Sequence, residues 1–487
     1  MPVVHLVRQY CCVYLTLTTA ALNISASSAI AIFLRPLSSR LPTYPSNIYI
    51  SSIGSTYLEA RKTTRRTMSR SNTTRAKKHP SSSAEYEESK NGGFPIPAWF
   101  NRERMRVLSS ATYDSAAKAT SKEKEKNPCC VVYWMQRDMR VEDNWALLYA
   151  DYLAREVYRT PLRVVYAFST RKSTRRHVNF LLGGLSRVED GLHSLNIPIK
   201  AIHVDQLCGY LSSKPVSAAA LVTDFSPLKD PVSKTANVVS ELAGISDRIP
   251  VIQIDAHNVI PCWFVSDKKE VGARTLRPKI NKLLPQFMTE FPTIKSYGGT
   301  DESASSVSYV PINWAEESAK YITTDESVPS VKWAQPGTKA GMDKFKHWLH
   351  SSGFKQFAEK RNNPTIPNVI SNLSPWLNHG HISFQRLALT VRALNKYSNS
   401  TAAYLEEGIV RRELSDNFCF HNQDYDSLAG AANWARESLE LHASDEREYI
   451  YSLEEFTQAK THDDLWNAAQ LQLVQEGKMH GFLRMVS

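Results

Sequence analysis

The chain has 487 residues, of which 42% are hydrophobic, 22% charged and 10% aromatic. That composition excludes a wholly disordered chain, a collagen-like repeat and a coiled-coil rod, and the length predicts two or three domains. The formal charge is +11, yet residues 1–127 hold 19 Lys/Arg and 8 Asp/Glu, a surplus of 11 that accounts for all of it. The body from residue 128 onward is therefore neutral, and any nucleic-acid surface on it must come from local clustering rather than bulk charge.

The first segment reads as an address. No acidic residue precedes Glu59, residues 10–34 are mostly apolar or small, and a Ser/Thr/Arg-rich stretch follows. An acid-poor, Ser- and Arg-rich start is the composition of an organelle presequence, so residues 1–127 are expected to be a disordered leader directing the protein to a plastid or mitochondrion. The basic runs RKTTRRTMSR and RAKK leave a nuclear address as the alternative. Thr, Ser and Asn interrupt the apolar run, which argues against stable membrane association of the mature protein. Seven cysteines form no C-x-x-C pair, so reduced thiols are expected, without a disulfide framework or a metal site.

At Cys129 the pattern changes abruptly. CCVVYWM is a short, continuous apolar run, as expected of a strand buried on both faces. Asp143 and Asn144 offer an N-cap for the helical spacing of WALLYADYLAREVY. Strands are predicted at 163–169, 197–204, 220–225 and 249–256, and helices at 177–195 and 228–244. This alternation predicts an α/β fold with a doubly wound, Rossmann-like parallel sheet over 128–264. No G-x-G-x-x-G follows the first strand. Residues 265–340, broken by Pro and Ser, read as an interdomain linker, and 341–487 reads as an all-α domain.

Within the helical part, RNNPTIPNVISNLSPWLNHG (361–380) is a polar, Pro-punctuated loop opening a helix at Ser374-Pro375. Backbone N–H groups and hydroxyls at such a start suit an anion, although an ordinary capped helix start fits the same residues. GIVRRELSDNF gathers Arg411, Arg412, Glu413, Asp416 and Asn417, which suits either a site or a structural ion-pair network. Trp376, Trp434 and Trp466 fit a core role equally well.

An ordered series of blocks nevertheless resembles one family. YWMQRDMRVEDNWALLYA (133–150), VTDFSPLK (222–229), DAHNVIPCW (255–263), KINKLLPQF (279–287), AEKRNNP (358–364), SNLSPWLNHGHIS (371–383), VRRELSDNFCFHN (410–422), ASDEREYIYSLEE (443–455) and LWNAAQLQLVQEGKMHGFLRM (465–485) are similar to class II cyclobutane pyrimidine dimer photolyases. The resemblance covers roughly 128–485. It implies an α/β domain followed by a helical domain holding FAD, whose photoexcited reduced form donates an electron to a pyrimidine dimer flipped out of UV-damaged DNA. An antenna chromophore of the deazaflavin or folate type and a monomeric state belong to the same expectation. By resemblance, Arg361, Ser371, Asn372, Leu373, Ser374 and Pro375 form the flavin-phosphate loop, and Arg484 contacts the flavin. Glu413 hydrogen-bonds the damaged bases, Asn417 is a weaker candidate for that pocket, and Trp466 belongs to an electron relay.

Three departures stand out. Phe357 replaces the usual tyrosine, and Asn378-His379 replaces the usual His-Phe before Gly380. Where the family continues past GFLRM with an aromatic pair and further helices, this chain reads Val486-Ser487, so the helical domain is expected to be truncated. The alternatives to light-driven repair are a truncated, inactive remnant and a cryptochrome-like flavin photoreceptor.

Overall fold

The structure, a computed structural model, describes residues 93–111, 113, 129–214, 216–245, 248–298 and 310–486. The apolar run and basic stretches of the leader lie outside the described residues.

A six-stranded sheet organises the first domain, in the order β1-β7-β6-β2-β3-β5. Its strands are β1 (Met105–Val107), β2 (Cys130–Met135), β3 (Leu162–Phe168), β5 (Ile199–His203), β6 (Ala218–Asp224) and β7 (Val251–Ile254). Every residue of β2, β6 and β7 is buried, because helices cover both faces of a parallel sheet. On one face pack α1 (Trp145–Tyr152) and α2 (Arg175–Ser194), and on the other α3 (Lys229–Ile245). Asn144 caps α1 as its sequence position suggests, its side chain accepting from Ala146 N and Leu147 N.

Two boundaries differ from the sequence expectation. The leader does not extend to residue 127: Phe94, Phe100 and Met105 lie in the core of the first domain, and β1 pairs antiparallel with β7. A three-residue strand that follows Arg104 and contains Arg106 carries no periodic signal, and only its distant partner makes it a strand. Likewise 265–340 is no simple connector. It contains α4 (Ala273–Phe287), which buries Ala273, Leu276, Ile280 and Phe287 in the core of the helical part. It also contains β8 (Ile322–Asp325), which pairs in parallel with β4 (Arg171–Thr174). Pro278 and Pro285 within α4 break the sequence pattern without ending the helix.

The helical part continues through α5 (Thr338–Leu349), α6 (Ser352–Lys360), α7 (Ser374–Asn378), α8 (Phe384–Ala393), α9 (Ser398–Leu405), α10 (Arg412–His421) and α11 (Asp464–Glu476). Phe357 on α6 is buried edge-on to Trp348 and Tyr404. In that apolar cage a phenylalanine leaves no hydroxyl unsatisfied, which accounts for the departure at this position.

Candidate active site

The carboxyl ends of β2, β6 and β7 meet α10, which is where an open parallel sheet places its functional loops. The centre of this junction is the loop 255–262, stapled by one carboxylate. Asp255 Oδ1 accepts from His257 N (3.2 Å) and Asn258 N (2.9 Å), and Oδ2 from Asn258 Nδ2 (3.0 Å) and Cys262 N (2.9 Å). Buried Arg104, from the segment expected to be leader, donates to the loop's carbonyls at Asn258 (3.0 Å) and Val259 (2.7 Å). With its carbonyls taken up there, the loop gives its next N–H groups to α10: Val259 N donates to Glu413 Oε1 at 2.6 Å and Ile260 N to Oε2 at 3.4 Å.

Glu413 is buried, and burial pushes its pKa up to about 8, against the lowering effect of Arg412 and the two backbone N–H groups. Burial prevails because Arg412 stands 3.6 Å away and Asp255 adds like charge. Both of its oxygens are engaged by the Val259 and Ile260 N–H groups, so in this structure Glu413 ties the 255–262 loop to α10. One turn along α10, burial alone would raise the pKa of Asp416, but the Arg137 guanidinium holds it well below the usual carboxylate range.

Asn417 is the clearest correction among the site residues. Its Oδ1 accepts from Glu270 N (2.8 Å) and its Nδ2 donates to Lys268 O (3.0 Å). Both ends of the amide thus latch the 268–270 loop to α10, and Asn417 serves as a structural tie rather than a base contact. The expected anion site at the start of α7 is also weaker than its sequence suggests. α7 is only five residues long, its N-cap Leu373 offers no side-chain hydrogen bond, and Ser374 is exposed; so short a helix has little macrodipole.

The other expected cofactor residues gather by a different route. Arg361 caps the end of α6, with Nη1 donating to Ala358 O (2.6 Å) and Nε 3.4 Å from Glu407. The Arg361 backbone also holds the His480 ring, whose pKa is lowered by burial and by Lys478 and Arg484. Lys478 is lowered in turn by burial and by Lys344 and Arg484. Sequence reasoning missed Lys478 and His480, although both lie inside the block that carries Arg484. Asn372 adopts φ +58°, and its Oδ1 is buried without a partner, as are Arg411 Nη1 and Arg412 Nη1. Leu373 is buried in the helical core, while Ser371 and Pro375 are half-buried. Trp466, in the first turn of α11, stands 5.1 Å from the Phe456 ring, and Phe456 stands 5.4 Å from Tyr451. The Tyr451 hydroxyl reaches His462 Nδ1 at 2.5 Å.

Comparison with known proteins places this architecture. Solved structures of similar fold include a class III photolyase from Agrobacterium tumefaciens (TM-score 0.53, 19% identity, 74% of this chain and 71% of that one). A cryptochrome from Synechocystis sp. PCC6803 is similar in the same way (TM-score 0.52, 14% identity, 74% of each chain). The fold is thus of the photolyase–cryptochrome type. A family model described as DNA photolyase matches residues 131–295. The chain is 42% identical over 392 residues to a deoxyribodipyrimidine photo-lyase of Potorous tridactylus, covering 79% of this chain and 69% of the relative. It is 41% identical over 368 residues to one of Arabidopsis thaliana, covering 73% and 72%. The chain belongs to the DNA photolyase family.

Proposed function

We propose that this protein repairs cyclobutane pyrimidine dimers in DNA in the class II manner, with light as the energy source and FAD as cofactor. The observation that carries this reading is the 42% identity over 392 residues to a deoxyribodipyrimidine photo-lyase, and Glu413 is the buried carboxyl offered for the bases, its pKa pushed up by burial to about 8. A pyrimidine presents a carbonyl acceptor beside an N–H donor, and a neutral carboxyl offers the complementary donor and acceptor in a site closed to water. An ionised carboxylate would accept only, and would repel the negative charge that an electron brings to the dimer.

The flavin fits the residues present. Arg361 with the Ser371, Asn372, Leu373, Ser374 and Pro375 loop would hold the diphosphate and Arg484 would meet the isoalloxazine end, with Lys478 adding positive charge beside Arg484. The unpartnered atoms of Asn372, Arg411 and Arg412 are buried polar groups of the kind a large polar cofactor satisfies. When bound and reduced, the flavin supplies one photoexcited electron to the dimer and takes it back after the ring opens. The chain's own part is to hold the cofactor, to bind the flipped bases through Glu413, and to feed electrons inward through Trp466. A deazaflavin or folate antenna, a monomeric state and delivery to a plastid or mitochondrion complete the reading.

The test is repair of an oligonucleotide carrying one thymine dimer, in blue light and in darkness. Light-dependent repair is expected, falling as pH rises through about 8 when Glu413 loses its proton. Glu413→Ala is expected to lower the rate about tenfold or more, the cost of a lost buried hydrogen bond. Glu413→Gln, which keeps a donor and an acceptor, should retain much of the rate and lose the alkaline limb. No repair by the flavin-loaded protein under light would sink the proposal.

A further inference from the structure

The block ASDEREYIYSLEE (443–455) takes no part in the junction between sheet and helices, yet it sets oxidisable rings and a base beside Trp466. Tyr451 and His462 lie nearly in one plane, 7° apart, and the Tyr451 hydroxyl meets His462 Nδ1 at 2.5 Å. The same oxygen accepts from the His462 backbone N–H at 2.9 Å. With that contact made, the hydroxyl proton is left to bridge to Nδ1, so the phenol donates and the imidazole accepts. Coplanar rings aim the O–H along the lone pair of the nitrogen, as transfer of a proton requires.

Two neighbours suit His462 to carry positive charge. Tyr449 stacks on its ring at 3.8 Å and 12°, and an aromatic face attracts an imidazolium. Asp463 follows it directly, its carboxylate fixed at the start of α11 by Leu465 N and Trp466 N. Negative charge next along the chain favours the protonated ring. Toward α11, Tyr451 packs against Phe456 at 5.4 Å, and Phe456 against Trp466 at 5.1 Å. Tyr449 and His462 are exposed. A line of touching rings thus joins Trp466 to solvent.

We propose that Tyr451 and His462 form a proton-coupled electron donor at the outer end of the relay through Trp466. Once Trp466 has given an electron toward photoexcited oxidised flavin, it is a radical cation. Tyr451 returns one electron to it, the Tyr451 O–H bond breaks, and the proton goes to His462 Nδ1. The products are neutral Trp466, a neutral tyrosyl radical and a His462 imidazolium. A thiolate in solution then gives up one electron, becoming a thiyl radical, while the proton passes back from Nδ1 to the phenolic oxygen. Without the imidazole the phenol would have to hold its proton as a strongly acidic radical cation, so the base makes Tyr451 a usable donor. Moving the vacancy off Trp466 keeps the electron from falling back. The inference rests on the relay role given to Trp466 above, and its test separates the two.

A ruthenium(III) polypyridyl complex, made by a flash in solution, oxidises exposed phenols without the flavin or Trp466. In the 487-residue protein the tyrosyl radical that forms fastest, followed by electron paramagnetic resonance, is expected to disappear in Tyr451→Phe. In His462→Gln it should form about a hundredfold more slowly, the cost of losing a positioned proton acceptor. In the flavin-loaded protein under blue light, the Trp466 radical should outlive its native counterpart in both variants, with unchanged thermal midpoints. The proposal is overturned if the fastest tyrosyl signal survives Tyr451→Phe, or forms at the native rate in His462→Gln. It is overturned equally if the Trp466 radical decays at the native rate in both variants. If the ruthenium results hold while Trp466→Phe photoreduces its flavin as fast as the native protein, the Tyr451–His462 donor stands and the relay role given to Trp466 fails.

Discussion

Two regions of this molecule are built to different standards. In the first domain β2, β6 and β7 are wholly buried, and Trp145 beneath them is 1% exposed. Between 428 and 486, Ala469 and Met479 are the buried apolar side chains among the described residues, while Leu441 is 74% exposed, Ile450 84% and Leu465 57%. Both regions have comparable sequence hydrophobicity, and only one has a partner surface for it. Helices of the second region are held at their ends instead. Asp463 caps α11, Arg176 of α2 donates to Val474 O at 3.0 Å, and Trp333 Nε1 donates to Glu476 O at 2.8 Å. Local hydrogen bonds can fix a helix in place, but most of a helix's stability comes from burying an apolar face.

The sharpest test of that contrast is Trp145→Ala. Its ring stands 4.4 Å from Phe291 and lies under the Arg104 guanidinium, and its Nε1 donates to Gln385 Oε1 at 3.1 Å. Truncation empties a large site, while Gln385 Oε1 keeps its bond from Arg104 Nη2, so a loss of about 3–5 kcal/mol is expected from the cavity by chemical denaturation. A loss below about 1 kcal/mol would mean that the first domain is far less tightly packed than its burial implies.

That same tryptophan marks how far the sequence could be read. α1 and its Asn144 cap, the five parallel strands and the switch to helices were legible, because burial on two faces writes continuous apolar runs and helices write a 3.6-residue period. β1 and Arg104 were not. Their partners, β7 and the Asn258 and Val259 carbonyls, lie some 150 residues away, and RERMRV has no period of its own. α4 was hidden by its two prolines. In the site, the sequence pointed to Glu413 and to the block carrying Arg484. It could not show that the Asn417 amide is consumed by Lys268 and Glu270, because a side chain's partners depend on a loop that only the tertiary fold brings near.

The junction between the sheet and the helices offers a second, intermediate effect. Burial lowers the pKa of His257 to about 4, His379 to about 4 and His381 to about 3, from an ordinary imidazole value of 6.5. Positive neighbours reinforce the lowering: Arg137 and Arg412 at His257, His177 and Arg171 at His379, His379 and Arg140 at His381. Asp138 at His257 and the Pro375 carbonyl at His379 oppose it only partly. The unfolded chain takes up these protons below about 6.5 while the folded chain resists them down to about 4. Stability is therefore full above pH 6.5 and is lost progressively as pH falls toward 4. Thermal midpoints measured across that window should drop steeply for the native protein and less steeply for His381→Gln. Equal slopes would remove His381 from the account.

The smallest expected effect tests the other side of the contrast. Leu441→Gln, Ile450→Gln and Leu465→Gln each replace an apolar side chain that is mostly in water, so no packing is lost and no polar group is buried. Each should change unfolding free energy by no more than about 0.5 kcal/mol, the range for surface positions away from caps and networks. The three sites also differ usefully. Leu465 follows the Asp463 cap of α11, whose side chain accepts from Leu465 N and Trp466 N, so glutamine there leaves the cap bonds intact because they involve backbone donors. Ile450 lies between Tyr449 and Tyr451, which flank His462 at ring separations of 3.8 and 6.0 Å; its side chain takes no part in that stack. If any of the three substitutions costs more than about 1 kcal/mol, that side chain is covered in solution, and the contrast between the two regions narrows at that position. If all three are neutral, the apolar side chains of 428–486 contribute little at these positions, and the end contacts at Arg176 and Trp333 carry the attachment of α11.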